Sequence, residues 1–320
     1  MLINANRDKE KNSSFICVHL RSFADLNFFM PWIQLTLNIP RTQAEYAEQL
    51  LLEAGALSVT FKDAEDNPVL EPAPGETPLW DNIILTGLFD ADINTQKLRE
   101  HIIKEFPQNN LRIEPLEDRD WVRAWMDDYK PMQFGKRLWV CPKHLPPPQP
   151  DAVNLMLDPG LAFGTGTHPT TALCLRWLDG FDVRDKSLLD FGCGSGVLAI
   201  AALLLGAAHA DGCDIDPQAL IASRNNAADN HVADKLIVFM PGDMPVKKYD
   251  VVMANILAGP LVQLAPKLAD LTRSGGHVVL SGILHTQADE LRHAYAQWYE
   301  LDATVVQDDW VRISGIRRAS

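Results

Sequence analysis

The chain has 320 residues, 47% of them hydrophobic and 22% charged, with 29 Lys or Arg against 42 Asp or Glu and a net charge of −13. That length is long for one hydrophobic core, so two domains are expected, and the acidic balance excludes a free-standing nucleic-acid binder while suiting a basic partner. Five cysteines with no C-x-x-C pair point to a reducing compartment and away from a zinc site, and the longest apolar run, Val197 to Ala208, is shorter than the roughly 20 residues that span a bilayer. With no leader-like segment near the start, a cytoplasmic protein without metal or membrane attachment is expected.

Residues 1–29 read unlike the rest. Asn4, Asn6, Lys9, Lys11 and Asn12 give a polar stretch without periodicity, and Met30 is expected to be the physiological start, leaving 1–29 a non-native or disordered extension. From Trp32 the pattern sharpens. Trp32 to Leu37 alternates as a strand, Thr42 is expected to cap a helix from Gln43 to Ala54, and Gly55 ends it. Strands follow at Ala56–Lys62 and Asn82–Phe89, a helix at Thr95–Phe106 and a strand at Leu111–Glu117, with an acidic, proline-rich loop from Asp63 to Pro78. The order β-α-β-β-α-β is that of a ferredoxin-like α+β domain, placed at residues 30–119. Between Trp32 and Asp120 stand 17 acidic against 7 basic residues, without a Cys or His cluster, glycine loop or nucleophile. A domain that recognises a basic partner fits this better than a site of chemistry.

Trp121 and Trp125, four residues apart, share one face of a short helix that Pro131 should end, so residues 120–135 read as a linker helix. The catalytic part is then 136–320. A strand at Arg137–Cys141 and an exposed Pro146–Pro150 loop lead to Asp158–Thr171, which packs three glycines, His168 and Phe163 between hydroxyl residues. Ordering so irregular a loop is costly without a purpose; a cover over a bound ligand is expected, with Thr170 or Thr171 opening the next helix.

The stretch Asp190-Phe191-Gly192-Cys193-Gly194-Ser195-Gly196 follows a buried strand from Lys186 and opens an apolar helix at Val197. Strand, glycine turn and helix make half of a βαβ unit, in which the glycines let a ligand approach the backbone beside a helix N-terminus. A dinucleotide fingerprint would need glycine at Val197. The spacing present, G-x-G-x-G, resembles motif I of the class I S-adenosylmethionine-dependent methyltransferases. Asp214 closes the next strand where an acidic side chain meets ribose hydroxyls, and Asp243 ends the third, near where an adenine would lie. Tyr249–Asn255 is strand four, bringing Asn255 to the ligand side. Strand five spans Gly275–Ile283, a helix Gln287–Trp298, and strands near Leu301–Val306 and Trp310–Ile316 complete the sheet. His277 and His285 have no partner at metal-ligand spacing and are read as structural.

Together Gly160–Thr171, Asp190–Gly196, Asp214–Pro217 and Ala254–Ala258 make the chain similar, from Met30 onward, to the bacterial ribosomal protein L11 methyltransferase family (PrmA). The resemblance implies a ferredoxin-like domain that grips a ribosomal protein and a Rossmann-like methyltransferase domain. It further implies S-adenosylmethionine as cofactor, bound by Thr171, Gly192, Gly194, Asp214 and Asn255 with Phe163 above the reacting centre. The implied reaction is trimethylation of the α-amino and lysine ε-amino groups of L11 by a monomer. Asn255 and Phe163 would position the amine, and no general base is evident. A nicotinamide oxidoreductase or a non-catalytic assembly factor are the competing readings. The first lacks the glycine spacing, and the second has no need of the cofactor loop.

Overall fold

A computed structural model describes residues 3–6, 13–17, 32–65, 79–107, 110–116, 129–158 and 168–319. The chain divides into two compact units, Met1–Trp121 and Val122–Ser320.

The first unit is an antiparallel sheet with two helices on one face. Its strands are β1 (Ile3–Asn6), β2 (Ser13–Cys17), β3 (Trp32–Pro40), β4 (Ser58–Asp63), β5 (Asn82–Phe89) and β6 (Arg112–Leu116), in spatial order β1-β2-β4-β5-β3-β6. Helices α1 (Ala44–Glu53) and α2 (Thr95–Glu105) complete a ferredoxin-like core. The alternation in β3 decides which face they cover: Leu35, Leu37 and Ile39 are buried, while Gln34, Thr36 and Asn38 point the other way. Leu51 of α1 and Ile102 of α2 pack fully buried against that face, each contributing about 1.5–3 kcal/mol.

Two expectations fail here. Thr42 does not cap α1; it lies inside a 3-10 turn, Arg41–Gln43, that feeds the helix directly. Asn94, not singled out beforehand, caps α2 by accepting the Lys97 N–H. The extension at 1–29 also contains regular structure: β2 pairs with β4, and β1 with β2. The physical reason is the edge of β4, whose backbone groups away from β5 would otherwise stay unpaired. The linker residues 117–128, with Trp121 and Trp125, and the loop residues 66–78 lie outside the described residues.

The second unit opens with a small sheet, β7 (Met132–Phe134), β8 (Leu138–Cys141) and β9 (Val153–Met156). Met132–Phe134 was expected to be linker; it is a strand, so the hairpin begins before residue 136. Next come α3 (Pro169–Gly180), β10 (Ser187–Phe191), α4 (Val197–Leu204), β11 (His209–Cys213), α5 (Pro217–Asp229), β12 (Leu236–Phe239) and β13 (Tyr249–Asn255). The chain ends with α6 (Ala258–Leu271), β14 (Thr272–Leu284), α7 (Ala288–Tyr295), β15 (Tyr299–Leu301), β16 (Val305–Gln307) and β17 (Trp310–Arg317).

The large sheet runs β12-β11-β10-β13-β14-β17-β15, with β16 also on β17. Strands β10 to β14 are parallel and β17 antiparallel to β14, the Rossmann-like α/β arrangement with an inserted final strand. The order reverses between β10 and β13, and open sheets of this kind bind ligands beyond the strand ends at such a point. No helix among the described residues is long and apolar enough to cross a membrane.

One polar anchor fixes the hairpin to this unit. Asp179, buried near the end of α3, accepts the backbone N–H groups of Lys136 (2.6 Å), Arg137 (2.9 Å) and Leu138 (3.0 Å), and the Arg137 guanidinium lies 3.6 Å away. Gly135 is in the left-handed region at φ +83°, and a Cβ there would lie 2.2 Å from Asp179 Oδ2. The turn can close on the carboxylate because position 135 has no side chain.

Candidate active site

Beyond β10 the backbone turns through three left-handed glycines, Gly192 (φ +80°), Gly194 (φ +54°) and Gly196 (φ +78°). The Cys213 carbonyl at the end of β11 accepts from Gly192 N–H (2.7 Å) and Cys193 N–H (3.1 Å), and Gly196 is the N-cap of α4. The Asp214 carboxylate braces the turn, Oδ2 accepting the Gly194 N–H at 2.9 Å and Oδ1 the Asp216 N–H at 3.0 Å. An ionised carboxylate offers about four acceptor positions, so capacity remains for a ligand's hydroxyl groups. Asp243 is exposed in the turn after β12.

Across the sheet, β13 delivers Asn255. Its Nδ2 donates to Thr171 Oγ1 at 3.2 Å, leaving Oδ1 without a partner among the described residues. Thr171 sits buried in the first turn of α3. That helix begins ahead of both expected starts, Thr170 and Thr171: Pro169 is its first residue and His168 its cap, Nδ1 accepting from Thr170 N–H at 3.4 Å and lying 2.8 Å from Thr170 Oγ1. The imidazole also packs edge-on against Trp310, centroids 4.8 Å apart. His168 therefore holds a helix end.

The residue after Asn255 ties the two halves together. A Cβ on Gly192 would fall 2.2 Å from Ile256 Cγ2, and one on Gly282 (φ +83°) 2.3 Å from the Ile256 carbonyl oxygen. A glycine in the turn after β10 and one on β14 thus clear room for one residue. Gly192, Gly194, Asp214, Asn255 and Thr171 accordingly meet at the carboxyl ends of β10, β11 and β13. Phe163 and the rest of 159–167 lie outside the described residues.

Sequence reasoning passed over Asp190. It is 1% exposed; Oδ2 accepts the Ala199 N–H at 3.2 Å and Oδ1 has no partner among the described residues. Burial pushes its pKa up to about 7, with the nearby Asp214 adding to the rise. An aspartate whose folded pKa exceeds its unfolded 3.8 gains a proton on folding between those values. Its contribution to stability therefore declines as pH rises from about 4 to about 7 and stays at its least favourable above that. In Asp190→Asn protein this component of the slope should vanish, so urea midpoints at pH 5 and pH 8 should lie closer together than in the parent. An unchanged gap would refute the assignment.

A family model for ribosomal protein L11 methyltransferase (PrmA) matches residues 31–318. The chain belongs to this family. A ribosomal protein L11 methyltransferase of Pseudomonas paraeruginosa is 56% identical over 295 residues, covering 91% of this chain and 100% of its own. One of Shewanella amazonensis is 52% identical with the same coverage. A crystal structure of the ribosomal protein L11 methylase from Lactobacillus delbrueckii subsp. bulgaricus is 29% identical with a TM-score of 0.54, over 60% of this chain and 99% of its own.

As a PrmA family member the chain is an S-adenosylmethionine-dependent methyltransferase; nothing in these comparisons supports the oxidoreductase or the non-catalytic assembly factor. The residues fit that cofactor. The turn bends through three left-handed glycines into the N-terminus of α4, which leaves its backbone open to a ligand's approach, and Asp214 keeps acceptor capacity beside it. Among the described residues no three His, Cys, Asp or Glu side chains are grouped to hold a metal ion.

Proposed function

We propose that this enzyme trimethylates the α-amino and lysine ε-amino groups of ribosomal protein L11 in the cytoplasm, acting as a monomer without binding nucleic acid directly. The relatives named above carry that substrate in their names, and the net charge of −13 suits a basic protein partner. The ferredoxin-like unit would take hold of the substrate protein. The observation that carries the chemistry is the Asn255–Thr171 pair, which presents Oδ1 as an acceptor beside the glycine turn.

Gly192, Gly194, Asp214 and Thr171 would hold the cofactor, with Phe163 over its reacting end. When bound, the cofactor supplies an electrophilic methyl on a sulfonium. The chain's part is to deliver a neutral amine in line. A lysine of pKa about 10.4 is almost wholly protonated at neutral pH, an α-amine of about 7.7–8.0 much less so. Asn255 Oδ1 accepts one amine N–H and aims the lone pair, and an uncharged acceptor does not hold the extra proton as a carboxylate would. Positioning and exclusion of water then carry the rate. Ile256 and Leu257 follow Asn255 where amide and adenine methyltransferases have Pro-Pro-Tyr, which argues against those acceptors.

The test is incubation with radiolabelled S-adenosylmethionine and ribosomal proteins from a strain lacking this gene. One labelled band is expected, identified by mass as L11 carrying trimethylated amines and absent with Asp214→Ala enzyme. Labelling of a different protein, or none despite cofactor binding, would overturn the substrate.

A further inference from the structure

Helix α5 leaves Asp214 through Asp216, whose carboxylate caps it by accepting the Gln218 N–H at 2.9 Å. Along its inward side Ser223, Asn226 and Asn230 follow at spacings of three and four, which puts them on one face. Ser223 Oγ donates to the Gly194 carbonyl and Asn226 Nδ2 to the Ser195 carbonyl, both at 2.9 Å. Asn230, at the C-cap, faces β9: Nδ2 donates to the Met156 carbonyl (2.8 Å) and Oδ1 accepts the Met156 N–H (2.7 Å).

The Asn230 amide thus stands where the peptide of a neighbouring strand would, and it closes the free edge of β9. One residue earlier Asp229 pairs with Lys143 Nζ, and the Lys143 N–H donates to Asp158 Oδ1 at 2.8 Å. The peptides at Gly194 and Ser195 are therefore held from two sides, by Asp214 in front and by α5 behind. The same helix grips β9 and, through Lys143, Asp158, from which the Pro159–Thr167 stretch departs. Alanine or leucine would bury this face at less cost. Directional amides aimed at backbone oxygens specify one position for the turn instead.

We propose that α5 is a brace for the cofactor site and that Asn226 and Asn230 are its positioning residues, setting the glycine turn against β9 before S-adenosylmethionine arrives. The inference rests on the cofactor site alone and does not depend on which protein accepts the methyl. Asn226→Asp is nearly isosteric but cannot donate to the Ser195 carbonyl; Asn230→Ala removes both bonds to Met156. Titration calorimetry with S-adenosylmethionine should show the Kd raised about five- to tenfold by each, as for loss of one or two buried hydrogen bonds. The double variant should cost less than the product of the two, because one brace fails only once.

Methylation assays should place the loss in KM for the cofactor, with kcat within about twofold because each hydrogen-bond loss acts before chemistry. Asn154→Ala is the control. Asn154, on β9, bonds its own loop and β8 and not α5, its Nδ2 donating to the Gln149 and Ala152 carbonyls and its Oδ1 accepting from Cys141 Sγ, so its loss should lower melting temperature without moving Kd. If Asn230→Ala does not fold, Asn226→Asp and Ser223→Ala carry the test. Wild-type Kd in these variants, with only the stability loss seen for Asn154→Ala, would overturn the proposal.

Discussion

Asn255→Ala is expected to lower kcat about 10²–10³-fold, the usual cost of removing an oriented group at a reacting centre. Cofactor affinity should fall by only about fivefold, one neutral hydrogen bond. The side chain is held from one end only, Nδ2 on Thr171 Oγ1, so Oδ1 is the end that can face an amine. Asn255→Asp gives the sharper result. It keeps the shape and adds a negative charge beside the acceptor, which favours the ammonium form and raises the pH at which the amine becomes nucleophilic. Its pH–rate curve in single-turnover assays should be displaced upward from the parent's. Turnover of Asn255→Ala within tenfold of the parent would remove Asn255 from the reacting centre.

Asp179→Ala should destabilise the catalytic unit by about 3–5 kcal/mol, because three backbone N–H groups lose a charged acceptor at once. With a urea slope of about 2 kcal/mol/M, the midpoint should drop by roughly 1.5–2.5 M. Asp179→Asn keeps one acceptor oxygen and should fall between. A drop of less than about 0.5 M would show that the hairpin is held by its apolar contacts, Phe134 and Leu138, and that the anchor matters little.

The glycine turn was legible because its constraint is local. Backbone that must enter the left-handed region at Gly192, Gly194 and Gly196 selects glycine whatever surrounds it. Asp214 was legible as the acidic residue closing the strand after the glycine turn and Asn255 because it ends an apolar run, and strand ends on one side of a parallel sheet converge. The β-α-β-β-α-β order came through for a similar reason, from alternation within β3 and β5 and helical spacing between them. What stayed hidden depends on partners far along the chain. Nothing near Asp179 announces the turn at 135–138, and Asn226 looks like an ordinary surface residue until Ser195 lies under it. Helix α6 was not assigned from the sequence, which has Gly259, Pro260 and Pro266 in it; the two early positions fall in its first turn, where proline and glycine cost little, and Leu261, Ala265 and Leu268 supply its buried face. Thr42 was misassigned because a 3-10 turn supplies the start that a side-chain cap would have given.

Strand β17 serves three partners, β14, β15 and β16. During synthesis each of those is made before it. A nascent chain that stops short of Trp310 leaves β14 with an open edge and two short strands with nothing to join, while the glycine turn and Asn255 are already in place. Assembly of the catalytic sheet is therefore gated by its last strand, and a chain arrested just before it should show aggregation through β14 rather than partial activity.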